Sequence, residues 1–439
     1  MHAGGAPDEH RRSDRNRRLV PAAAASHVPS SHYCDANAAG CRLHALLKPV
    51  RILMFARYLP PEYSGAAAQA FLLAGQLRAR GHHVEFATQS WSGQRRDYEV
   101  DGFRVTALSM QLQARHQEFS VWRSLAAHLW QRRHAVDILH GQGAYYTQSI
   151  LGPFGRFLGK PTLVKASLSQ NDLSSLTHST IAPVHRRFLR LVDAYVAISE
   201  ELQIEFAQKG LRADRVWHIP NGVDTSRFRP VPEAERQRLA AAIGLTASQP
   251  IALFVGVFDE RKRIGWLMRE WVAANGFGTG VHLVAVGPTS RDSYGEALKQ
   301  ELRDLAAAHP RLLSVRDFTP DILRHYQAAS LLVFPSLQEG LPNTVLEAMA
   351  CGLPCVVARA SGSRELVQDD VNGATFAIDE TAELRDALHR VLLDLPRLGA
   401  RSRELAVQHY SIGAITDRYE ALYAHLLRQR RGLPWGQPT

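Results

Sequence analysis

The sequence predicts an α/β protein made of two doubly wound, Rossmann-like domains that face one another across a cleft. Three observations predict it. The 439 residues are 45% hydrophobic and 21% charged, which supplies packed cores and excludes wholesale disorder, collagen and coiled coil. From Val50 onward, short β-rich apolar runs alternate with longer helical patterns, the signature of repeated βα units around a parallel sheet. The alternation breaks at the Pro-bounded stretch PNGVDTSRFRPVP, residues 220–232, and then restarts, so that stretch reads as a connection between two domains.

Residues 1–48 place Arg11, Arg12, Arg15, Arg17 and Arg18 ahead of only a short apolar stretch, and read as a disordered basic tail without a signal peptide. The first domain is expected over 49–228. It opens with a buried-strand run at 50–56, a loop at 57–65 and a helical pattern at 66–80 that stops at Gly81. Further strands are expected at 83–88, 103–108, 136–140, 162–166 and 195–198. The second domain, 229–408, shows strand runs at 251–257, 281–287, 331–335 and 355–358. Its helical stretches fall at 263–274, 294–308, 321–329 and 343–351. A closing segment, 409–430, carries apolar residues spaced to bury one side of a helix at 412–428.

The net charge is +10, of which the first 48 residues contribute a part through seven basic and four acidic side chains. Such an excess suits phosphate-bearing substrates or an anionic membrane surface. Cys34, Cys41, Cys351 and Cys355 form neither a disulfide framework nor a zinc site, which implies a reducing, cytoplasmic compartment. The longest clean apolar run, 251–258, falls far short of the roughly 18 residues of a membrane span. Walker A, nucleophile-elbow and zincin motifs are absent from the sequence, and Gly276, Gly278 and Gly280 follow a helical stretch instead of a strand. Basic residues are scattered and match no nucleic-acid-binding motif, so no nucleic-acid partner is expected.

The most informative segment is FPSLQEGLPNTVLEAMACGLPC, residues 334–355, where a strand ends, a loop carries Glu339 and a helix begins near Pro342. A proline at the first helical position leaves the amides of Asn343, Thr344 and Val345 free to point at an anion, and the helix dipole adds positive potential there. Asn343 and Glu347 share one helix face. A carboxylate accepts two hydrogen bonds from a vicinal diol, so an anion site bracketed by Glu339 and Glu347 suits a nucleotide sugar.

With that segment, the sequence resembles the GT4 family of retaining glycosyltransferases, which have the GT-B fold. The family's Glu, seven residues, Glu pattern is met by Glu339 and Glu347 within EGLPNTVLEAMACGLP. PPEYSGAAAQAFLLAGQLRARGHHV (60–84), DAYVAISEEL and IPNGVDTSRFRP (within 193–230) resemble further family segments in the expected order. The resemblance spans about 50–427. It implies that Glu347 holds the ribose hydroxyls, that Glu339 approaches the donor sugar, and that Gly340, Leu341, Pro342, Asn343 and Thr344 lie under the diphosphate and sugar. Gly65 would let backbone approach the phosphates, or simply serve a helix-start turn.

Where the family carries an arginine after a glycine, Gly256 is followed by Val257; Lys262 fits the family's lysine position, and Arg261 or Arg263, with Arg263 preferred, supplies the missing charge. His140 resembles the family's first-domain histidine segment and reads as catalytic, an acceptor contact or a core residue, with Gln142 where some members carry a second histidine. Asp172 matches an acceptor-side loop loosely. The implied function is transfer of a hexosyl unit, with retention, from a nucleotide-diphosphate sugar to a glycan or lipid-linked acceptor. The expected catalytic residues are Glu339, Lys262 and His140. No cofactor beyond the donor substrate is expected, and no metal, since no Asp-x-Asp motif occurs. Two alternatives stay open: a sugar-nucleotide epimerase on the same fold, and a lapsed binding protein, for which Val257 and Gln142 speak. The basic amphipathic stretch 185–191 reads as a solvated helix face or as a dock on anionic lipid at the inner face of the membrane.

Overall fold

The computed structural model describes residues 48–430, apart from 63, 112–116, 170–171, 175, 177–180, 246–248, 291–292 and 361. The basic tail, but for Lys48, lies outside the described residues, as do Cys34 and Cys41.

The first sheet has eight strands: β1 (Arg51–Ala56), β2 (His83–Gln89), β3 (Arg96–Val100), β4 (Phe103–Leu108), β5 (Ile138–Gln142), β6 (Thr162–Lys165), β7 (Ala194–Ala197) and β8 (Val216–His218). Their order is β3-β4-β2-β1-β5-β6-β7-β8, parallel except for β3, which pairs antiparallel with β4. The second sheet holds β9 (Ile251–Val255), β10 (His282–Val286), β11 (Leu313–Arg316), β12 (Leu331–Phe334), β13 (Cys355–Ala358) and β14 (Gly373–Phe376). It is wholly parallel, in the order β11-β10-β9-β12-β13-β14. Central strands covered on both faces are continuous apolar runs, as parallel sheets require: Leu331, Leu332, Val333 and Phe334 of β12 are all buried. Edge strand β3 (RDYEV) is polar and largely exposed.

In both sheets the strand order reverses once, between β1 and β5 and between β9 and β12. A crevice opens at such a switch point, beyond the carboxyl ends of the strands, and this is where open α/β sheets bind ligands.

The second domain is packed around Phe254, Trp271, Tyr326 and Phe334. The first sheet has a core on each face, one around Phe55, Trp122, Leu125 and Leu151 and the other around Leu73, Leu77, Tyr419 and Tyr423. Tyr419 and Tyr423 belong to the last helix, Ile412–Arg430, so the chain returns to the first domain after the helix Leu395–Tyr410. Arg80 fixes the returning helix through Asp417 and Glu420, both at 2.7 Å. The two crossings lie side by side: Val223 donates its amide to Tyr410, and Ile412 donates to the Val223 carbonyl.

Several boundaries differ from the sequence expectation. The run expected at 136–140 forms a strand two residues later, at Ile138–Gln142, paired with β1 throughout and with β6 from Leu139. His140 is therefore mid-strand and not at a strand end. The helix expected at 343–351 forms at Asn343–Ala350, with Pro342 as its extended cap and not its first helical residue.

Candidate active site

A cavity of about 330 Å³ lies between the two switch points. Its first-domain wall is made by residues just beyond β1 and β5, among them Arg57, Tyr58 and Gly143, with Gln142 and Lys165 at the ends of β5 and β6. Its second-domain wall is made by Gly256 and Val257 beyond β9 and by residues 339–344 beyond β12, joined by Arg261 and Lys262. The volume is in the range that holds a small ligand, about 300–1,000 Å³.

Glu339 organises the second wall. One of its oxygens accepts from Lys262 Nζ at 2.5 Å, Arg261 Nη1 at 2.9 Å and Ser336 Oγ at 2.5 Å. Burial works to raise the Glu339 carboxyl, but the charges of Lys262 and Arg261 and the hydrogen bonds outweigh it and hold the group below its ordinary value, ionised. Burial likewise pulls the Lys262 ammonium down, with Glu339 offsetting part of the effect. Asp259 fixes the Lys262 backbone by accepting from its amide at 2.8 Å. Arg261 also donates to the Gln338 carbonyl at 2.7 Å, which turns its guanidinium toward the cavity loop.

The helix Asn343–Ala350 carries no side-chain cap, so its first amides point toward the cavity unopposed by any capping oxygen. The loop before it is clamped across the cleft. Asn221 donates to the Leu341 carbonyl (2.9 Å) and Asn343 Oδ1 (3.0 Å), Asn343 Nδ2 donates to the Gly65 carbonyl (3.1 Å), and Ser169 Oγ donates to the Glu339 carbonyl (3.0 Å). Gly340 passes so close to the first domain that a Cβ on it would sit 2.1 Å from the Ser167 carbonyl oxygen. A Cβ on Gly65 would meet Asn343 Nδ2 at an ordinary 3.5 Å, so no protein neighbour demands a glycine there.

The structure thus brings together Gly65, Arg261, Lys262, Glu339, Gly340, Leu341, Pro342, Asn343 and Thr344 around one cavity. Arg263 does not join them. Its φ of 55° is left-handed, the turn directs the guanidinium outward, and it pairs with Asp379, so Arg261 and not Arg263 stands beside Glu339. Glu347 lies one helical turn below Asn343, partly buried, where the Tyr326 hydroxyl donates to Oε2 at 2.7 Å and burial pushes its carboxyl up to about 7. His140 does not line the cavity. It is fully buried, with Nδ1 2.9 Å from the Tyr423 hydroxyl and Nε2 3.2 Å from Gln142 Nε2, and burial takes its pKa down to about 3. The core-residue reading fits that placement. Asp172 is also buried, accepting from the Ser167 amide (2.6 Å) and hydroxyl (3.0 Å), and so shapes the loop that faces Gly340.

Sequence reasoning missed Lys165, Asn221, Ser169 and Ser336. Asn221 had a signal in the Asn-Gly of the interdomain stretch; the others sit at strand ends or in loops with no spacing to mark them.

Two family models match the chain: the one described as Glycosyltransferase Family 4 over residues 63–227, and the one described as Glycosyl transferases group 1 over residues 249–394. Among curated relatives, the alpha-maltose-1-phosphate synthase of Mycolicibacterium smegmatis is 28% identical over 55% of this chain and 65% of its own. The D-inositol 3-phosphate glycosyltransferase of Saccharomonospora viridis is 31% identical over 50% of this chain and 52% of its own. The match therefore spans less than two thirds of either relative's length. Among solved structures, HepE of Anabaena in complex with UDP superposes with a TM-score of 0.69 at 20% identity, covering 86% of this chain and all of that one, a likeness of fold. With both halves matched in order, each supplying one wall of the cleft, the chain belongs to the family 4 (group 1) glycosyltransferases of GT-B fold.

Proposed function

We propose that the protein is a retaining glycosyltransferase that moves a hexosyl unit from a nucleotide-diphosphate sugar to a hydroxyl of a glycan or lipid-linked acceptor. The observation that carries this reading is the Glu339, Lys262 and Arg261 cluster beside an uncapped helix amino terminus in the interdomain cavity. The donor diphosphate lies against Lys262, Arg261 and the amides of Asn343 and Thr344. Its ribose hydroxyls donate to Glu347, whose second oxygen stays available while Tyr326 occupies the first.

In the transfer the bond from the anomeric carbon to the phosphate oxygen breaks, and the acceptor oxygen bonds to the same face of that carbon. The acceptor proton goes to the departing phosphate. Charge develops on the diphosphate, where preorganised cations and amides in a water-poor cleft stabilise it most. Glu339 holds both cations in place and faces the oxocarbenium-like sugar with its negative charge. Arg261 supplies the charge that Val257 withholds. Positive charge comes from side chains, so the reaction runs without a metal ion or further cofactor.

The test is nucleoside diphosphate release from UDP-, GDP- and ADP-sugars in the presence of glycan and lipid-linked acceptors, with product stereochemistry read by NMR. One donor series supporting transfer with retention, unchanged by EDTA and lost in Glu339→Gln, is expected. Inversion, or dependence on a divalent ion, would overturn the mechanism.

A lipid-linked acceptor requires a membrane face, and the outer helices of the first domain offer one. Trp130 and Phe157 stack at 5.9 Å and are 49% and 70% exposed, with the Arg133 guanidinium over Trp130 and with Arg186 and Arg187 exposed nearby in sequence to Val184. Within the stretch 185–191, His185 and Leu189 are buried, Phe188 and Leu191 are half-buried, and Arg186, Arg187 and Arg190 are exposed. Among the described residues no helix is long and apolar enough to cross a membrane. Pelleting with anionic but not neutral liposomes at low salt, weakened by Phe157→Ser, is the expected result; no pelleting would remove this part of the reading.

A further inference from the structure

The two walls of the cavity differ in how their positive charges are balanced. On the second wall Lys262 and Arg261 share Glu339. On the first wall Lys165, the last residue of β6, lines the cavity with 4% of its surface exposed, and its ammonium makes no hydrogen bond or ion pair among the described residues. Burying an ammonium without a partner is costly, and burial alone pulls its pKa down to about 7. Burial is the only cause of that shift, so Asp172, whose Oδ2 accepts from the Ser167 amide and hydroxyl, does not offset it.

Arg57, the first residue beyond β1, lines the same cavity. Its guanidinium lies over the rings of Tyr58 at 5.2 Å and Tyr145 at 5.4 Å, it forms no ion pair among the described residues, and its Nε is buried without an acceptor. β1 and β6 flank β5. Two strand spacings, about 10 Å, separate their ends, a gap that a lysine and an arginine side chain close around one anion. Tyr58 also stacks on Trp91, with ring centroids 5.1 Å apart and planes 7° apart, which gives a flat apolar surface beside that anion position.

We infer that this wall is a second oxyanion subsite, centred on Lys165 and rimmed by Arg57, that takes the phosphate of a phosphorylated sugar or polyol acceptor. The inference rests on the transferase reading for the word acceptor only; the anion subsite stands on its own geometry. A phosphate monoester matches the two cations in charge, whereas a neutral sugar leaves both unbalanced in a buried place and a carboxylate leaves one. The shared chemistry, a phosphate on a polyol, is offered by a soluble sugar phosphate or by a phosphoinositide headgroup.

The test is calorimetric titration of the full chain with glucose 1-phosphate and myo-inositol 1-phosphate, and with glucose and myo-inositol as neutral controls. Parallel sedimentation uses vesicles of phosphatidylcholine with and without phosphatidylinositol. Phosphorylated ligands should bind at least tenfold tighter than their parents, and Lys165→Met should abolish the preference while UDP, GDP and ADP titrations are unchanged. Arg57→Gln, at a half-exposed position, should weaken the same ligands and serves if Lys165→Met does not fold. Vesicle binding that depends on phosphatidylinositol and is lost in Lys165→Met assigns the phosphate to a lipid headgroup; preference among soluble ligands alone assigns it to a free ester. Equal affinity for phosphorylated and neutral ligands, or a Lys165→Met variant that loses nucleotide binding as strongly as sugar-phosphate binding, would overturn the inference. Nucleotides that bind no form of the protein, while the Lys165-dependent preference persists, would leave the subsite standing and refute the donor-site reading instead.

Discussion

Replacing Lys262 by Met removes the ammonium that Glu339 holds at 2.5 Å and that lies 4.7 Å from the Phe334 ring centroid, and keeps most of the aliphatic volume. Two effects oppose each other in the folded protein. A charge-assisted hydrogen bond worth about 1.5–3 kcal/mol is lost, but a buried ammonium no longer has to be desolvated. Glu339 keeps Arg261 at 2.9 Å and Ser336 at 2.5 Å, so its charge is not orphaned. The net stability cost is expected to be small, about 0–2 kcal/mol. The ligand has no such compensation. Losing one cation from a water-poor diphosphate site should weaken nucleoside diphosphate binding by roughly 2–3 kcal/mol, or about 30- to 150-fold, and removing a charge-stabilising donor should lower kcat by about 10²–10³. Thermal unfolding reports the first effect, and calorimetric titration and initial rates report the second. A folded Lys262→Met protein with nucleotide affinity within twofold of wild type and an unchanged kcat would refute the assignment of Lys262 to the diphosphate.

Three further outcomes follow from the same site. Arg261→Gln should lower kcat/KM by at least tenfold in steady-state assays, while Arg263→Gln, whose side chain pairs with Asp379 away from the cavity, should leave it within twofold. Gly340→Ala places a methyl 2.1 Å from the Ser167 carbonyl oxygen, so the cleft wall must shift at a cost of about 1–3 kcal/mol; melting curves and kcat/KM should both fall. The Glu347 carboxyl, raised to about 7, is protonated more readily folded than unfolded, so its contribution to stability is full below the ordinary carboxylate pKa and is lost as pH rises toward 7. Glu347→Gln should flatten that part of the stability profile. Donor affinity should rise through pH 7 in the wild type only, because a diol needs the ionised carboxylate.

The parts of the fold that a sequence marks well are those in which local chemistry and burial agree. β9 (IALFV) and β12 (LLVF) are apolar because both faces are covered, so their positions are legible to within one or two residues. β3 (RDYEV) is an edge strand held by one neighbour, and nothing in its composition distinguishes it from a loop. The second wall of the cavity was legible because its residues are nearly contiguous: Glu339 through Glu347 occupy a loop and one helix. Which guanidinium of the Arg261–Lys262–Arg263 run faces Glu339 was not, because it depends on a left-handed turn at Arg263 that neither spacing nor charge predicts. The first wall is assembled from the ends of separate strands. Lys165 reads in sequence as one basic residue between Val164 and Ala166, and becomes conspicuous only when the sheet buries it without a partner. His140 shows the converse: a motif-like histidine whose neighbours in space, Tyr419 and Tyr423, come from the last helix, the second of them 283 residues later.

The central claim, that the interdomain cavity is a nucleotide-sugar donor site, is tested most directly by a thermal-shift panel of UDP-, GDP- and ADP-sugars on the wild type and on Glu347→Ala. A ligand at about 100 times its Kd that binds only the folded state adds about 2.7 kcal/mol of stability, several degrees in Tm. One nucleotide series raising the wild-type Tm, with the rise abolished in Glu347→Ala, is the predicted result. A panel in which no series shifts the wild type, or in which both proteins shift equally, would contradict it.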